Sequence, residues 1–460
     1  MVEGRTHRPV IQSEKCHSCD VCIRGCPAEL IPEYRKEGKS LRGTLYRGRA
    51  GKRDPEETLS LPPCQKACPI RQDARGYVAL IAKEKFREAL ELIREVNPLP
   101  AVCGFICHHP CEEACLREGV DDPVPMRLLK RFVAEYERGN IGKKRRLRKK
   151  PQKVLVIGSG PAGLAAANDL SLLGYGVTIF EALPVLGGML SVGIPAYRLP
   201  RDILNMEIEG IRKLGVEMKT NCFFPLRRGN GRSFRKLGFH AVFLSTGAHR
   251  SIRLKIPGES FRGVFPGVEF LRDVNLGQKI EMGKKVAVIG GGNVAVDVAR
   301  SALRLGAKKV EIYYRRSRIE MPAIPEEVEE AIQEGVKIHF LASPLKIIGK
   351  EGKVAEMDCA RIKLGEPDRS GRKKPIPIDG SNFKVQADMV IAAIGQRVER
   401  KALRGLDTNQ DGTVQIDPGT GETSLKGVFA GGDVVRGPGW AIDAIADGKK
   451  GAQSIHEYLS

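Results

Sequence analysis

Twelve cysteines stand in the 460-residue sequence, and ten of them lie before residue 116. Cys16, Cys19, Cys22 and Cys26 occupy "CHSCDVCIRGCP", a C-x2-C-x2-C-x3-C-P spacing. Cys64 and Cys68 follow in "PCQKACP", and Cys103, Cys107, Cys111 and Cys115 recur every fourth position in "CGFICHHPCEEAC". Three chemistries need thiols this close: disulfide cross-linking, tetrahedral zinc and iron–sulfur ligation. Disulfide scaffolds are small, secreted and stapled throughout, whereas the long body here holds only Cys222 and Cys359. Structural zinc sites pair two separated CxxC units. The first motif is instead one tight run whose thiolates wrap a cubane face, with Pro27 turning the chain away. Where two clusters sit side by side the fourth cysteine of this spacing serves the neighbour, so Cys26 has two destinations open to it. In the second group Gly104 and Pro110 argue against one continuous helix and predict short helical turns around metal. His108 and His109 are read as local hydrogen-bonding residues.

Two further constellations are built from glycine. "KVLVIGSGPAGLAAANDLSLLGYGVTIFEA" runs from an apolar strand into Gly158, Gly160 and Gly163, then a helix, a second strand and Glu181. The glycines permit a tight turn, close approach to a pyrophosphate and close helix packing, and the acid suits a ribose hydroxyl. "KKVAVIGGGNVAVDVARSALRLGAKKVEIYYRRS" repeats the unit with Gly290, Gly292 and Ala295. There the second strand ends at Tyr314, and Arg315 and Arg316 stand where the acid would be, which suits a 2′-phosphate and hence NADP(H) over NAD(H). Two such units predict a flavin beside a nicotinamide. "GVFAGGDVVRGPGWAIDAIADGKKGA" adds Gly432 and Asp433 for a flavin's ribityl chain and a helix start near Ala441. Hydride transfer at a flavin needs alignment more than acid or base groups, so no catalytic side chain is expected.

The elements that must position these groups follow from periodicity. Residues 1–38 form a ferredoxin-like segment, 39–60 a polar linker, 61–140 a helical iron–sulfur domain and 141–151 a basic linker. The α/β remainder divides into a first FAD-binding part (152–275), an NADP(H)-binding domain (276–388) and a second FAD-binding part (389–460), both domains Rossmann-like with parallel sheets. "FLSTGA" and "IAAIGQ" read as the paired strand ends that carry the chain between them. "YVALIAKEKFREALELIREV" places Leu80, Ile81, Phe86, Leu90 and Ile93 at helical intervals, and "MRLLKRFVAEYERG" does so with Leu129, Phe132, Val133 and Tyr136, ending at Gly139. The net charge is +21, with seven basic residues between Lys143 and Lys150. No nucleic-acid-binding motif accompanies it and aromatics are only 5%, so an acidic protein partner is expected rather than nucleic acid. No apolar run approaches the ~20 residues of a membrane span and the N-terminus lacks an apolar signal core. No membrane insertion and a cytoplasmic location are the expectations.

Residues 61–460 resemble the small, flavin-containing subunit of glutamate synthase and its relatives. Those include the large subunit of NADH-dependent ferredoxin:NADP oxidoreductase and the N-terminal half of dihydropyrimidine dehydrogenase. "PCQKACP", "NPLPAVCGFIC", "CEEAC", "GSGPAGLAAA", "GGML", "GIPAYRLP", "GGGNVAVDVAR", "YYRRSRIEMPA", "STGA" and "AGGDVV…AIADGKKGA" carry the resemblance. It implies FAD held by Gly158, Gly160, Pro161, Ala162, Gly163, Glu181, Gly188, Arg198, Thr246, Gly247, Gly432, Asp433, Ala441 and Ile442. It implies NADP(H) held by Gly290, Gly292, Asn293, Val294, Ala295, Asp297, Arg315, Arg316 and Gly395. The ten N-terminal cysteines become the ligands of at least two [4Fe–4S] clusters. The sequence departs from its relatives in two places. "LSLPP" replaces the CxxC expected before Cys64, and Lys130 stands where some relatives carry a glutamine ligand. One cluster on Cys68, Cys107, Cys111 and a further ligand follows, with Cys64 and Cys115 needing ligands from elsewhere and Cys103 the expected spare. The activity implied is electron transfer between NADP(H) and one-electron carriers, within a hetero-oligomer that contains an acidic ferredoxin or another redox subunit. The rival is a glutamate synthase small subunit feeding a glutamine-processing large subunit.

Overall fold

A computed structural model of the chain describes residues 61–138, 148–226, 233–367 and 371–460. Cys16, Cys19, Cys22 and Cys26, the linker 39–60, Gly139 and the basic residues 143–147 lie outside the described residues. The chain divides into two compact units, Met1–Lys143 and Lys144–Ser460.

The first unit is helical: α1 (Pro63–Ala67), α2 (Ala74–Ile81), α3 (Phe86–Arg94), α4 (Pro100–Ile106), α5 (Pro110–Glu113) and α6 (Met126–Tyr136). Asp73 caps α2, accepting from the Gly76 amide at 2.8 Å. The pattern read as one helix over Leu80–Ile93 is two. The chain turns between them with Glu84 at φ +58°, and α2 folds back on α3. Proline at the first turns of α1, α4 and α5 fixes where each begins, so the cysteine run is broken before Pro110 as that residue predicts, whereas Gly104 sits inside α4 and does not interrupt it. On α6 the buried stripe is Met126, Lys130, Val133 and Ala134. Phe132 and Tyr136, expected on the inner face, are 43% and 63% exposed and pack on Phe86 at ring separations of 5.3 and 4.6 Å.

The second unit holds two five-stranded parallel sheets. The first comprises β1 (Lys153–Ile157), β2 (Gly176–Phe180), β3 (Glu217–Lys219), β4 (Ala241–Leu244) and β16 (Val428–Ala430) in the order β16-β4-β1-β2-β3. Helices α7 (Pro161–Leu172), α8 (Met189–Val192) and α9 (Arg201–Arg212) lie between its early strands. A short strand β5 (Arg250–Ser251) leads to the second sheet, made of β6 (Val264–Pro266), β7 (Lys285–Ile289), β8 (Lys309–Tyr314), β9 (Lys337–Phe340) and β14 (Met389–Ala392) in the order β6-β14-β7-β8-β9. Its helices are α10 (Gly267–Asn275), α11 (Asn293–Arg304) and α12 (Pro325–Gln333). An antiparallel sheet of β10 (Ala342–Lys350), β11 (Lys353–Pro367), β12 (Lys373–Pro377) and β13 (Phe383–Gln386) is inserted before β14.

In each parallel sheet the strand order reverses beside one strand, β1 in the first and β7 in the second, and the glycine loop leaves that strand at its carboxyl end. This is the crevice where open α/β sheets bind nucleotides. The domain limits 276–388 are too narrow. β6, α10 and β14 fall outside them, yet β6 and β14 pair within the second sheet and Phe270 and Leu271 of α10 lie in its core. The crossings between the halves are β5 and β15 (Gln396–Arg397), which pair antiparallel. "FLSTGA" and "IAAIGQ", read as the paired ends, lie at the ends of β4 and β14, and the pairing itself is made by β5 and β15 just beyond them. The last helix, α13 (Ala441–Leu459), packs on α7.

Candidate functional site

At the first loop each glycine has its own reason. Gly158 sits at φ +100°, and a Cβ there would meet the Ser245 carbonyl oxygen at 2.4 Å. Gly160 forms the N-cap of α7, and its would-be Cβ meets nothing within 4 Å. That opening lets a phosphate reach the unpaired amides at the helix start. Gly163 lets α7 lie against the loop, since a Cβ would stand 2.0 Å from the Gly158 carbonyl oxygen. Glu181, buried at the end of β2, accepts from the Ser159 amide at 2.9 Å, the Ser159 hydroxyl at 2.6 Å and the Leu183 amide at 2.9 Å. A carboxylate has about four acceptor positions, so one remains for a ribose hydroxyl, which fits the dinucleotide reading.

Four separate segments converge on this loop. Gly188, at φ +55°, would place a Cβ 2.8 Å from the Gly160 Cα, and Thr246 lies beside Gly158. Gly432, at φ +78°, approaches Ala162, and its amide donates to Asp447 at 2.8 Å. Gly448 of α13 meets the Ala162 carbonyl so closely that a Cβ would stand 2.1 Å away. Asp433 accepts from the Gly439 amide at 3.2 Å, and burial pushes its carboxyl up to about 6. Pro161 and Ala162 open α7, Ile442 is buried in the first turn of α13 beside Ala441, and Gly247 takes φ +66° next to the His249 ring. Burial lowers the His249 pKa. Sequence reasoning missed Ser159, Ser245 and Asp447, which hold the loop without facing its opening. All three were nonetheless inside the quoted motifs.

The second loop repeats the geometry. Gly290, at φ +146°, would place a Cβ 2.2 Å from the Ala393 carbonyl oxygen, and Gly292, the N-cap of α11, has open space. Ala295 is fully buried and replaces the third glycine. Gly291, absent from the sequence reading, is also required, because a Cβ would strike the Tyr314 ring at 2.4 Å. Asn293 accepts from the Ile324 amide at 2.9 Å, Val294 packs on the core of this half, and Gly395 at φ +134° accepts from the Ile252 amide. The two arginines part company. Arg315 is exposed at the end of β8, whereas Arg316 is buried, its Nε donating to the Lys373 carbonyl at 2.8 Å. Arg198 and Asp297, expected on different cofactors, meet each other at 2.7 Å, and Arg198 also pairs with Glu327. Their charges join the two halves of the unit.

In the helical unit Cys64, Cys68, Cys103, Cys107 and Cys111 are buried and Cys115 is half-buried, all as free thiols. Lys130 is buried near Cys103, Cys107, Cys111 and Cys68, and Cys64 lies near Cys115. Burial pushes the Cys107 thiol up and Cys111 up to about 12. The His109 amide donates to the Cys107 sulfur at 3.4 Å, and Nδ1 of the same histidine lies 3.2 Å from the Cys107 carbonyl. The Cys103 sulfur lies 3.8 Å from the Asn97 side-chain oxygen. Among the described residues no three His, Cys, Asp or Glu side chains converge as ligands of a single ion. Buried thiols without disulfide partners suit thiolate ligation of iron.

Tandem dinucleotide folds joined by paired crossings, together with a cysteine-lined helical unit, define a pyridine-nucleotide oxidoreductase with flavin and iron–sulfur cofactors. Residues 152–448 match the pyridine nucleotide-disulphide oxidoreductase model, and the chain belongs to that family. Residues 59–141 match dihydropyrimidine dehydrogenase domain II, 4Fe-4S cluster. The chain is 46% identical over 426 residues to the NADP(+)-dependent formate dehydrogenase subunit beta of Moorella thermoacetica, covering 86% of this chain and 60% of that protein. It therefore spans about three-fifths of that relative's length. It is 33% identical over 420 residues to the glutamate synthase [NADPH] small chain of Escherichia coli, covering 86% of this chain and 89% of that one. Among solved structures, FprA of Mycobacterium tuberculosis (a His57Gln mutant) superposes with a TM-score of 0.59 at 22% identity, over 67% of this chain and 85% of that one, and so shares the fold. No described helix is long and apolar enough to cross a membrane.

Proposed function

We propose that the chain is the NADP(H)-oxidising or NADP+-reducing subunit of a larger redox enzyme, passing electrons between the nicotinamide and one-electron carriers through [4Fe–4S] clusters. One observation carries this reading. The nucleotide unit has no thiol pair, since Cys359 is buried in β11 and Cys222 lies in the other half, whereas the helical unit buries Cys64, Cys68, Cys103, Cys107 and Cys111 as free thiols. Electrons leaving the nucleotide unit thus have iron held by thiolates as their outlet, and not a disulfide. FAD, when bound, supplies the exchange between a two-electron hydride and single electrons. The chain's own residues hold it: Gly160 admits the pyrophosphate, Glu181 takes a ribose hydroxyl, and Asp433 with the start of α13 faces the ribityl side. Gly292 admits the second pyrophosphate, and Arg315 supplies the cation for a 2′-phosphate. The names of the two relatives, both specific to NADP, support that choice of nucleotide. Their being subunits supports a partner subunit, and the +21 charge favours an acidic redox protein in a soluble, cytoplasmic assembly.

The test is anaerobic purification with iron and flavin quantified in the same sample. Flavin near one per chain, at least about four irons and NADPH-driven reduction of a one-electron dye are the expected results. Substituting Cys111→Ser should remove roughly four irons per chain while leaving NADPH bleaching of the flavin intact. Iron content equal to the parent would remove Cys111 from the ligand set. Substituting Arg315→Ala should raise KM for NADPH about tenfold, the loss of one charged hydrogen bond, and leave KM for NADH unchanged. Equal effects on both nucleotides would refute its role. Native co-purification with a glutamine-processing large subunit would replace this reading with the glutamate synthase one.

A further inference from the structure

The apolar stripe of α6 contains a lysine. Met126, Lys130, Val133 and Ala134 follow one another at helical spacing on the buried face, and Lys130 is only 5% exposed. An ammonium in such a position is unfavourable by several kcal/mol unless an opposite charge faces it. Its ionisable neighbours here are thiols: Cys103, Cys107, Cys111 and Cys68. The first turn of the same helix holds that segment: the Arg127 guanidinium donates to the Cys107 carbonyl at 3.5 Å, and the Arg127 amide to Glu112, the neighbour of Cys111, at 2.6 Å. The close approach is built into the backbone. Gly104, next to Cys103, presses on Arg131, next to Lys130, so tightly that a Cβ would stand 2.7 Å from the Arg131 Cα. The Arg131 guanidinium then lies over Phe105 at 3.8 Å and clamps α4 to α6 from the outer side. A lysine held in this way cannot leave for solvent when the thiols become anionic ligands.

Resting on the cluster reading above, we propose that Lys130 is a fixed countercharge to the Cys68–Cys107–Cys111 cluster, a positioning residue that raises the reduction potential of that cluster. A permanent positive charge beside the thiolates favours the form carrying one more electron, and the surrounding interior screens it weakly. Lys130 makes no iron bond, because a protonated amine has no lone pair.

The experiment is an EPR-monitored redox titration of the iron-loaded full chain for the parent, Lys130→Met, Lys130→Gln and Lys130→Arg, with iron quantified in each. The two neutral variants should hold the parent's iron and shift to lower potential. At a fixed solution potential their oxidised-to-reduced ratio should rise about tenfold, or about 59 mV for one electron. The arginine variant should stay near the parent. Neutral variants with full iron and the parent's potential overturn the proposal, and so do equal shifts in the arginine and methionine variants. If the neutral variants lose iron, the arginine variant decides: full iron and the parent's potential support the countercharge, and loss of iron there as well overturns it. A parent that binds no iron at all fails the cluster reading itself, which is a different result.

Discussion

Gly163→Ala is expected to yield a protein without flavin absorbance and with a lowered melting temperature. The added methyl would lie 2.0 Å from the Gly158 carbonyl oxygen and 2.7 Å from the Ser245 hydroxyl. Neither can yield cheaply. The Gly158 amide is bonded to the Phe180 carbonyl at 2.8 Å, and its carbonyl accepts from Ser245 at 3.1 Å. Sliding α7 away would break the contacts of Ala162 with Gly432 and Gly448. Overpacking of this kind costs about 3 kcal/mol, equivalent to roughly 6–12 °C for a domain of ordinary size. Gly160→Ala is the informative companion. At φ −65° alanine is unstrained there, and its methyl meets nothing. The flavin-free protein should therefore melt within the equivalent of about 0.5 kcal/mol of the parent, yet bind flavin poorly because the methyl fills the phosphate's approach. Gly163→Ala with the parent's flavin content and melting temperature would refute the assignment of that glycine to helix packing. Gly160→Ala with the parent's flavin affinity would refute the phosphate cradle.

That pair shows which parts of the site could be read from the sequence. Strand, loop and helix alternate in a fixed period, so the glycines, Glu181 and the paired crossings could be placed before any coordinates were known. What escaped depends on contacts between distant segments. Gly291 is required only because Tyr314, more than twenty residues on, lays its ring across the loop. Arg315 and Arg316 are neighbours in sequence, but in the bend just past β8 one is exposed and the other reaches the Lys373 carbonyl of an inserted sheet. The helical pattern around Leu80 and Ile93 is continuous in periodicity, and only the left-handed turn at Glu84 divides it. Phe132 and Tyr136 look like core residues by type, whereas the true stripe contains a lysine whose burial is explained only by the thiols opposite. Regular four-residue spacing of the cysteines likewise said less than their grouping: Cys68 joins Cys107 and Cys111 across some forty residues, while Cys103 faces Asn97.

Arg198→Met should have the second large effect, and its pH dependence identifies the cause. Arg198 belongs to the turn between α8 and α9, and Asp297 and Glu327 belong to α11 and α12 of the other half. Their side chains are 11%, 5% and 10% exposed. Burial holds Asp297 above the ordinary carboxylate range even beside the guanidinium, while the two carboxylates raise Arg198. Removing the cation leaves two buried carboxylates facing each other, a loss of about 3–5 kcal/mol at neutral pH. The Asp297 carboxyl then rises further above its unfolded value of about 3.9. A carboxyl whose folded pKa is raised contributes stability below the unfolded pKa and loses it as pH rises through the folded one. The melting temperatures of parent and variant should therefore converge toward pH 4 and separate toward pH 8. Arg198→Met with Asp297→Asn should recover part of the loss, because the pair is coupled. Flavin supplies the counter-test. If Arg198 served the flavin alone, the flavin-free variant would melt with the parent at every pH and only flavin affinity would fall. A loss already present in the flavin-free protein and growing with pH assigns the residue to the junction between the two nucleotide halves.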